Sequence, residues 1–397
     1  MQTIINPDKQ IWPEILKRPQ FDVTGLFEEV KSVLDEIERD GDEALRRFTI
    51  KFDGVKLKDF RVTEKEFSYA ESNVSTSLKE ALSVAAKNIE VFHASQIQEI
   101  KKVETMPGVL CWQKAVPIEN AGIYVPGGSA PLFSTVLMLA IPARIAGCKE
   151  TIMCTPPAKD GSVNPAILYA AKLTGIKKVF KLGGVQAIGA MAFGTDSVPK
   201  ADKIFGPGNQ YVTAAKQLVS LSHTAIDMPA GPSEVMIVAD KSAIPSFVAS
   251  DLLSQAEHGT DSQVVLITDC MKLIEQVKSE INFQLENLPR KKTAEQALKN
   301  SVIILLENRQ DTIEMINAYA PEHLILSTTD YIELADKVIN AGSVFLGNLT
   351  PESAGDYASG TNHTLPTNGW ARSHNGVNLD SFMKKITFQE IKKNGLK

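Results

Sequence analysis

Three short segments concentrate side chains that can bind a metal ion or transfer a proton: residues 255–259 (QAEHG), 321–323 (PEH) and 356–363 (DYASGTNH). The chain holds six histidines, and half of them fall in these segments. An amide oxygen, an imidazole and a carboxylate form a mixed N and O ligand set that suits zinc with one position open for a substrate. The sequence therefore indicates metal-assisted or acid–base chemistry.

The first segment includes the last residues of a helix predicted over residues 245–257. Gln255 and His258 are three positions apart, so both are expected to project from one face near the C-terminal end of this helix, where Gly259 can cap it. Such a pair could share one metal ion with Asp356. The intervening Glu257 is expected to be solvated. Taken alone, the spacing fits an ordinary polar helix end at least as well.

Glu322 and His323 stand where a predicted helix gives way to a predicted strand, at the edge of a parallel sheet where ligands tend to bind. An imidazole that titrates near neutrality can remove a hydroxyl proton, and a carboxylate can activate water. Each contributes about 100- to 10,000-fold. By itself a Glu-His dipeptide is more often incidental, and His93, alone on a predicted helix over 80–100, is given no role.

Turns rich in Gly and Pro recur beside the predicted strands, at residues 126–129, 183–184, 206–209 and 230–233. Such turns let the backbone approach a ligand closely. None is a dinucleotide fingerprint, because Tyr211 occupies the position of the third glycine after Gly206 and Gly208. The turns alone therefore do not identify a bound nucleotide.

Short apolar runs alternate with helical patterns after residue 150, which is typical of parallel strands joined by crossover helices. Together with a length of 397 residues, this predicts an α/β protein with two doubly wound units. A helix is also predicted over 26–39, and residues 347–369 form a long polar segment that we expect to be functional. Strands are predicted over 151–154, 178–182, 203–205, 235–239, 264–268, 302–306, 323–327 and 343–346, and helices over 164–173, 185–193, 210–219, 245–257, 273–285, 312–318 and 332–339.

The composition excludes several classes of partner. The net charge of −5 is spread along the chain and offers no basic surface for nucleic acid or an anionic membrane. The most apolar stretch, 136–147, is too short to cross a bilayer, and the N-terminus lacks a secretory pattern. We therefore expect a cytoplasmic protein, which agrees with four cysteines of unpaired spacing, Cys111, Cys148, Cys154 and Cys270.

Six motifs together resemble the histidinol dehydrogenase family, in the family's order and over nearly the whole chain. The resemblance implies oxidation of L-histidinol through L-histidinal to L-histidine, the last step of histidine biosynthesis, with two molecules of NAD. The motifs are residues 122–128 (GIYVPGG), 205–209 (FGPGN), 230–234 (AGPSE), 251–259 (DLLSQAEHG), 319–324 (YAPEHL) and 355–366 (GDYASGTNHTLP).

The resemblance also implies a role for each motif. Gln255, His258 and Asp356 would bind zinc (Zn2+), whose shell the imidazole and amine of the substrate complete. His323 would take the hydroxyl proton as hydride leaves for the nicotinamide, and Glu322 would activate the water that adds to the aldehyde. Ser233 and His363 match further substrate contacts, and Tyr124, Gln186 and Asn209 match the NAD-binding positions.

The family architecture implies two Rossmann-like domains, one inserted in the other. Residues 22–131 and 237–376 would form a discontinuous domain with the zinc and catalytic residues, and 132–236 an inserted NAD-binding domain. The terminal segments 1–21 and 377–397 would complete an intertwined homodimer.

One departure from the family pattern concerns the C-terminal tail. The family chain normally continues beyond the point matching residue 397, with another zinc-ligating histidine and a substrate-contacting glutamate donated across the dimer. No position here matches either residue, and the setting of His374 fits a surface loop better than a substitute ligand. A weakened or metal-poor zinc site is the expectation.

Three alternatives stay open at this point. A zinc hydrolase could use the same Gln, His, Asp and Glu set with a metal-bound hydroxide and no dinucleotide. A two-lobed solute-binding protein would need only the doubly wound pattern. A related zinc and NAD dehydrogenase acting on another amino alcohol is the nearest competitor.

Overall fold

The chain folds as a mixed α/β protein in a computed structural model that describes residues 1–19, 24–127, 131–228 and 231–396. The 21/22 domain boundary and parts of the turns at 126–129 and 230–233 therefore lie outside the described residues. No helix in the described ranges is long and apolar enough to span a membrane. The strands are β1 Gln2–Ile5, β2 Val103–Met106, β3 Val109–Pro117, β4 Asn120–Tyr124, β5 Glu150–Thr155, β6 Lys178–Lys181, β7 Lys203–Phe205, β8 Ala225–Ile226, β9 Glu234–Ala239, β10 Gln263–Thr268, β11 Val302–Leu305, β12 His323–Ser327, β13 Ser343–Leu346 and β14 Met383–Ile391. The helices are α1 Trp12–Ile15, α2 Thr24–Asp40, α3 Asp42–Phe48, α4 Glu64–Asn73, α5 Thr76–Ala94, α6 Phe133–Ala146, α7 Pro165–Thr174, α8 Gly184–Phe193, α9 Gln210–Ser220, α10 Pro245–Ala256, α11 Met271–Leu285, α12 Lys291–Ala297, α13 Arg309–Tyr319, α14 Tyr331–Ala335 and α15 Glu352–Tyr357.

The chain divides into two compact units. Unit 1 comprises Met1–Asp22, Met228–Tyr357 and Leu365–Gly376, and unit 2 comprises Val23–Asp227, Ala358–Thr364 and Val377–Lys397. This division differs from the expected grouping of 22–131 with 237–376. The physical reason is that β4 is the central strand of a sheet in unit 2, and α2 packs in the same core as α8 and α9.

Unit 1 is built on a six-stranded parallel sheet in the order β1-β11-β10-β9-β12-β13. Its last five strands follow the 3-2-1-4-5 order of a nucleotide-binding half. In β9, Val235 and Ile237 join a core with α10 and α11, whereas Met236 and Val238 join a core with α1 and α13. Both faces of the strand are thus buried, which explains why these strands read as continuous apolar runs.

Unit 2 contains a five-stranded parallel sheet in the order β6-β5-β4-β7-β8, again 3-2-1-4-5. A second, antiparallel sheet has the order β14-β3-β2. The apolar stretch 136–147 lies mostly in α6, which is buried on nearly all sides. Its lack of a polar face is therefore a consequence of burial in the core.

Several elements depart from the sequence-based predictions. The strands predicted after residue 150 all occur, with ends that shift by at most one residue, whereas β1 to β4, β8 and β14 were not predicted. The helix predicted over 80–100 spans Thr76–Ala94, and the one predicted over 332–339 ends at Ala335. The polar segment 347–369 contains the short helix α15.

Candidate active site

The candidate catalytic residues lie at the amino edge of the sheet in unit 1. His323 is the first residue of β12 and pairs with Val235 of the parallel strand β9. Gln255 is in the last turn of α10, which follows β9 and returns the chain to the same edge. In open α/β sheets ligands usually bind at the carboxyl edge. The candidate site of this protein lies at the opposite, amino edge.

His323 is the centre of the cluster and is only 3% exposed. Its Nδ1 lies 3.2 Å from the carbonyl oxygen of Glu234 and 3.5 Å from Glu322 Oε2. Because a carbonyl oxygen can only accept, Nδ1 carries the proton of that hydrogen bond. The other nitrogen, Nε2, has no hydrogen-bond partner among the described residues and lies 3.7 Å from Asp356 Oδ1 and 3.9 Å from Glu352 Oε1. The ring thus presents Nε2 to two carboxylates.

The two carboxylates come from one short helix. Glu352 and Asp356 are four residues apart on α15 and therefore share a face. Glu352 accepts hydrogen bonds from Gln255 Nε2 at 2.7 Å and from Ser254 Oγ at 2.8 Å, and its backbone N–H donates to Asp251. Burial, followed by the charge of Asp356, raises the pKa of Glu352 to about 8, and burial raises the pKa of Asp251 to about 6. The cluster is therefore a buried concentration of acidic groups.

Burial lowers the pKa of the His323 imidazole, but the surrounding carboxylates outweigh this effect. The nearby carboxylates of Glu322, Asp356 and Glu352 raise the pKa of His323 well above its ordinary value. A cation at this cluster would oppose that shift. A base that must accept a proton from a substrate needs an added positive charge nearby.

The donor set fits a divalent metal ion. Ligand atoms of His323, Glu352 and Asp356 lie within 4.8 Å of one another. Gln255 Oε1 is buried in the same cluster, and no described residue hydrogen-bonds to it, as expected of an oxygen that has a ligand to bind. Nitrogen and oxygen donors of this kind suit zinc.

The structure brings only part of the expected zinc set together. Gln255 and Asp356 both reach the cluster around His323, since Gln255 Nε2 lies 3.5 Å from His323 Nδ1. His258 lies in a turn beyond the end of α10 and is exposed. The helix ends at Ala256, one residue earlier than predicted, so His258 does not share a helical face with Gln255.

The three residues expected to contact NAD all belong to unit 2, and each follows or ends a different strand. The Tyr124 hydroxyl, at the end of β4, accepts a hydrogen bond from Gly184 N at 3.0 Å, and burial raises its pKa to about 12. Gln186 Nε2 donates to Asp53 Oδ2 at 2.9 Å, and its Oε1 is buried with no partner in the residues that the structure describes. Asn209 caps the N-terminus of α9. These positions mark the carboxyl edge of the sheet, where nucleotides bind in this topology.

Gly206 allows the ends of β4 and β7 to approach each other at the point where the strand order reverses. Its φ is +124°, and an added Cβ would lie 2.1 Å from the carbonyl oxygen of Tyr124. Such a contact is far inside van der Waals distance, so only glycine fits here.

The two further substrate positions lie in different units. Ser233 is half-buried in unit 1, and its carbonyl accepts from Gln263 N at 3.3 Å. His363 is in unit 2, with Nε2 at 3.0 Å from Thr135 Oγ1.

Sequence reasoning missed Glu352, which is buried in the candidate metal cluster. The available signal was its position four residues before Asp356 in PESAGD, the spacing of two side chains on one helical face. That signal depends on recognising a six-residue helix in a segment rich in Gly and Ser.

These features define an α/β enzyme with a buried acid–base and metal-type site. The sequence model described as histidinol dehydrogenase matches residues 16–397. The chain belongs to the histidinol dehydrogenase family, as the resemblance of its motifs predicted, and is thus an oxidoreductase. This membership removes the hydrolase and solute-binding alternatives.

Individual relatives agree over nearly their full length. Histidinol dehydrogenase from Bacteroides thetaiotaomicron is 60% identical over 397 residues, with 100% of this chain and 93% of the relative covered. That from Escherichia coli K12 is 51% identical, covering 96% of this chain and 88% of the relative. The crystal structure of histidinol dehydrogenase from Elizabethkingia anophelis has a TM-score of 0.98 and 56% identity, and covers 100% of this chain and 92% of that one.

Proposed function

We propose that this chain oxidises L-histidinol through L-histidinal to L-histidine in two NAD-linked steps, with zinc bound at the site in unit 1. Family membership supports the oxidoreductase activity in histidine biosynthesis. The observation that carries the residue assignment is the buried Nε2 of His323, which has no hydrogen-bond partner in the described part of the chain and lies 3.9 Å from Glu352 Oε1 and 3.7 Å from Asp356 Oδ1.

Gln255, His258 and Asp356 are the proposed zinc ligands; of these, Gln255 donates to Glu352 at 2.7 Å, whereas His258 is exposed beyond the end of α10. When bound, zinc would orient the amine and imidazole of the substrate and would supply positive charge that opposes protonation of His323. The unpartnered Gln255 Oε1 supports its place in this set.

His323 is the proposed base of the first oxidation. Its Nε2 accepts the hydroxyl proton of L-histidinol as hydride passes to the nicotinamide. The hydrogen bond from Nδ1 to the Glu234 carbonyl keeps the proton on Nδ1 and leaves the Nε2 lone pair free for the substrate.

Glu322 is the proposed base of the second oxidation. Its carboxylate takes a proton from the water that adds to the aldehyde, and the resulting hydrate anion passes a hydride to the second NAD as its C=O bond re-forms, which gives the carboxylic acid. Ser233 and His363 are proposed substrate contacts, and Tyr124, Gln186 and Asn209 are proposed NAD contacts at the carboxyl edge of the sheet in unit 2.

The remaining assignments concern architecture and location. The 3-2-1-4-5 orders of both sheets support two Rossmann-like halves, one inserted in the other as in the family. An intertwined homodimer is proposed from the family pattern alone. The four cysteines are free thiols, which supports a cytoplasmic location.

The initial rate of NADH formation with L-histidinol and added zinc tests this proposal. The wild-type chain and a His223→Ala control, which alters a half-exposed imidazole in unit 2, should turn over alike. His323→Ala should lose about 100-fold or more in kcat. Absence of NADH from the zinc-loaded wild type, together with activity on another amino alcohol, would contradict the substrate assignment.

A further inference from the structure

Glu234, the first residue of β9, contacts the Glu322-His323 dipeptide at three points. Its backbone N–H donates to Glu322 Oε2 at 2.9 Å, and its carbonyl accepts from His323 Nδ1 at 3.2 Å. Its own carboxylate Oε1 accepts from the backbone N–H of Glu322 at 3.3 Å. Glu234 and Glu322 thus exchange hydrogen bonds between backbone and carboxylate, while the same residue orients His323.

The Glu234 carboxylate is held in turn by Arg18. The guanidinium donates from Nε to Oε2 at 2.5 Å and from Nη2 to Oε1 at 2.8 Å, which is the bidentate geometry of a strong ion pair. Arg18 also donates to the carbonyl of Tyr319 at 2.8 Å and lies 3.9 Å from the centroid of the Tyr319 ring. The Tyr319 hydroxyl donates to Gln263 Oε1 at 2.9 Å. The guanidinium therefore has one well-defined position.

Arg18 supplies a positive charge beside the two buried carboxylates of Glu234 and Glu322. Glu234 is 2% exposed and Glu322 is 6% exposed, so two carboxylates face each other in a buried region. Buried charges are tolerated when they are paired and hydrogen-bonded. Arg18 supplies the cation that lets the Glu234 carboxylate remain in contact with the Glu322 backbone.

We propose that Glu234, held by Arg18, is a positioning residue for both bases of the active site. Its carbonyl fixes the tautomer of His323, and its amide and carboxylate fix Glu322 in place. This inference rests on the proposed function, because it assigns Glu234 to bases whose roles are proposed there.

These contacts predict that a Glu234 variant impairs one of the two oxidation steps more than the other. Two backbone contacts of Glu234 persist in a side-chain variant: the carbonyl that orients His323 and the N–H that binds the Glu322 carboxylate. What changes is the side-chain carboxylate that accepts from the backbone N–H of Glu322, together with its ion pair to Arg18. Loss of the Glu234 charge should therefore impair the second oxidation, which depends on Glu322, more than the first, which depends on His323. A purely structural role would affect both steps alike.

The experiment measures the two half-reactions separately on the zinc-loaded full chain. L-histidinal with NAD reports the second oxidation, and L-histidinal with NADH reports the first oxidation in reverse. For Glu234→Gln we expect kcat of the second oxidation to fall about 10- to 100-fold, because a misplaced base loses part of its contribution. The reverse of the first should change less than about threefold.

Variants of Arg18 provide an independent arm. Arg18→Met should reproduce the selective loss, and Arg18→Lys should recover part of it, because an ammonium keeps the charge without the bidentate fork. Lys9→Met is the control, since Lys9 makes exposed ion pairs with Asp311 and Glu314 in the same unit. It should leave both half-reactions unchanged.

Equal losses in both half-reactions, or a change confined to KM, would overturn the positioning role while leaving the proposed function intact. If Glu234→Gln does not fold, the ratio of the two half-reactions in Arg18→Lys and Arg18→Met decides the question by the same criterion. A wild type that is inactive in both half-reactions would instead contradict the proposed function.

Discussion

Replacement of Lys216 by methionine is expected to destabilise unit 2 through a buried ion pair. The Lys216 side chain is 4% exposed and contacts Asp227, which is 1% exposed. Lys216 Nζ also donates to the carbonyl of Gly206 at 2.8 Å, and Asp227 Oδ2 accepts from the N–H of Gly206 at 2.8 Å. The pair thus fixes the turn that precedes the proposed NAD contact Asn209.

The magnitude follows from the burial of both charges. Removing one partner of a buried pair costs about 3–5 kcal/mol, because the other charge stays in a poorly solvated place. Burial lowers the pKa of a second amine, Lys203, while the charge of Asp227 opposes that shift. Because Asp227 keeps this neighbouring cation, we expect the lower end, about 3 kcal/mol. This equals roughly a 150-fold change in the folding equilibrium.

Two measurements are needed because a chain of two units need not unfold in one step. Urea unfolding followed by circular dichroism gives the loss of stability, and hydrogen exchange at the Gly206 amide reports the turn directly. Lys31→Met is the matched control, since Lys31 makes an exposed pair with Asp35 on α2 and should cost about 0.5 kcal/mol or less.

The double variant Lys216→Met/Asp227→Asn tests the electrostatic reason. It removes the buried charge but keeps an oxygen that accepts from Gly206, so it should regain much of the lost stability. A double variant no more stable than Lys216→Met would refute the reasoning, as would a Lys216→Met variant that unfolds like the Lys31→Met control.

Three further perturbations have defined outcomes. Gly206→Ala should raise the Kd for NAD at least about tenfold in a binding titration, because its Cβ would meet the Tyr124 carbonyl. Gly175→Ala, which has positive φ but open space, should leave NAD binding unchanged. Burial lowers the pKa of His93 below its ordinary value of 6.5, so the unfolded chain binds more protons there and the free energy of unfolding falls as pH drops below 6.5. His93→Leu should therefore make the urea midpoint of unfolding depend less on pH in that range, and an unchanged dependence would contradict this. Asp356→Ala should weaken zinc binding at least about tenfold after dialysis, whereas Asp380→Ala, at an exposed ion pair, should match the wild type.

The parallel sheets were largely predictable from sequence. Strands such as β12 are buried on both faces, so their residues form short apolar runs that stand out between helical patterns. In contrast, β14 pairs with β3 across more than 250 residues of chain, and both strands are mostly exposed or half-buried. Their periodicity carries little signal, and their pairing depends on long-range contacts.

The candidate site was predictable where residue type and motif coincided, as at His323 and Asp356. It was not predictable where position depends on a neighbouring strand. Glu234 contacts the dipeptide because β9 and β12 are adjacent and parallel, which no local pattern indicates. The exposure of His258 follows from the end of α10 at Ala256, and helix ends are the least certain part of any sequence-based assignment.

The proposed four-electron oxidation of L-histidinol requires His323 as a base. The most direct test is the stoichiometry of the completed reaction with limiting L-histidinol, excess NAD and zinc, with NADH and L-histidine both quantified. We expect two NADH and one L-histidine for each L-histidinol consumed by the wild type, and almost no product with His323→Gln in the same time. One NADH per substrate with accumulation of L-histidinal would exclude the four-electron oxidation, and equal turnover by His323→Gln would exclude His323 as the base.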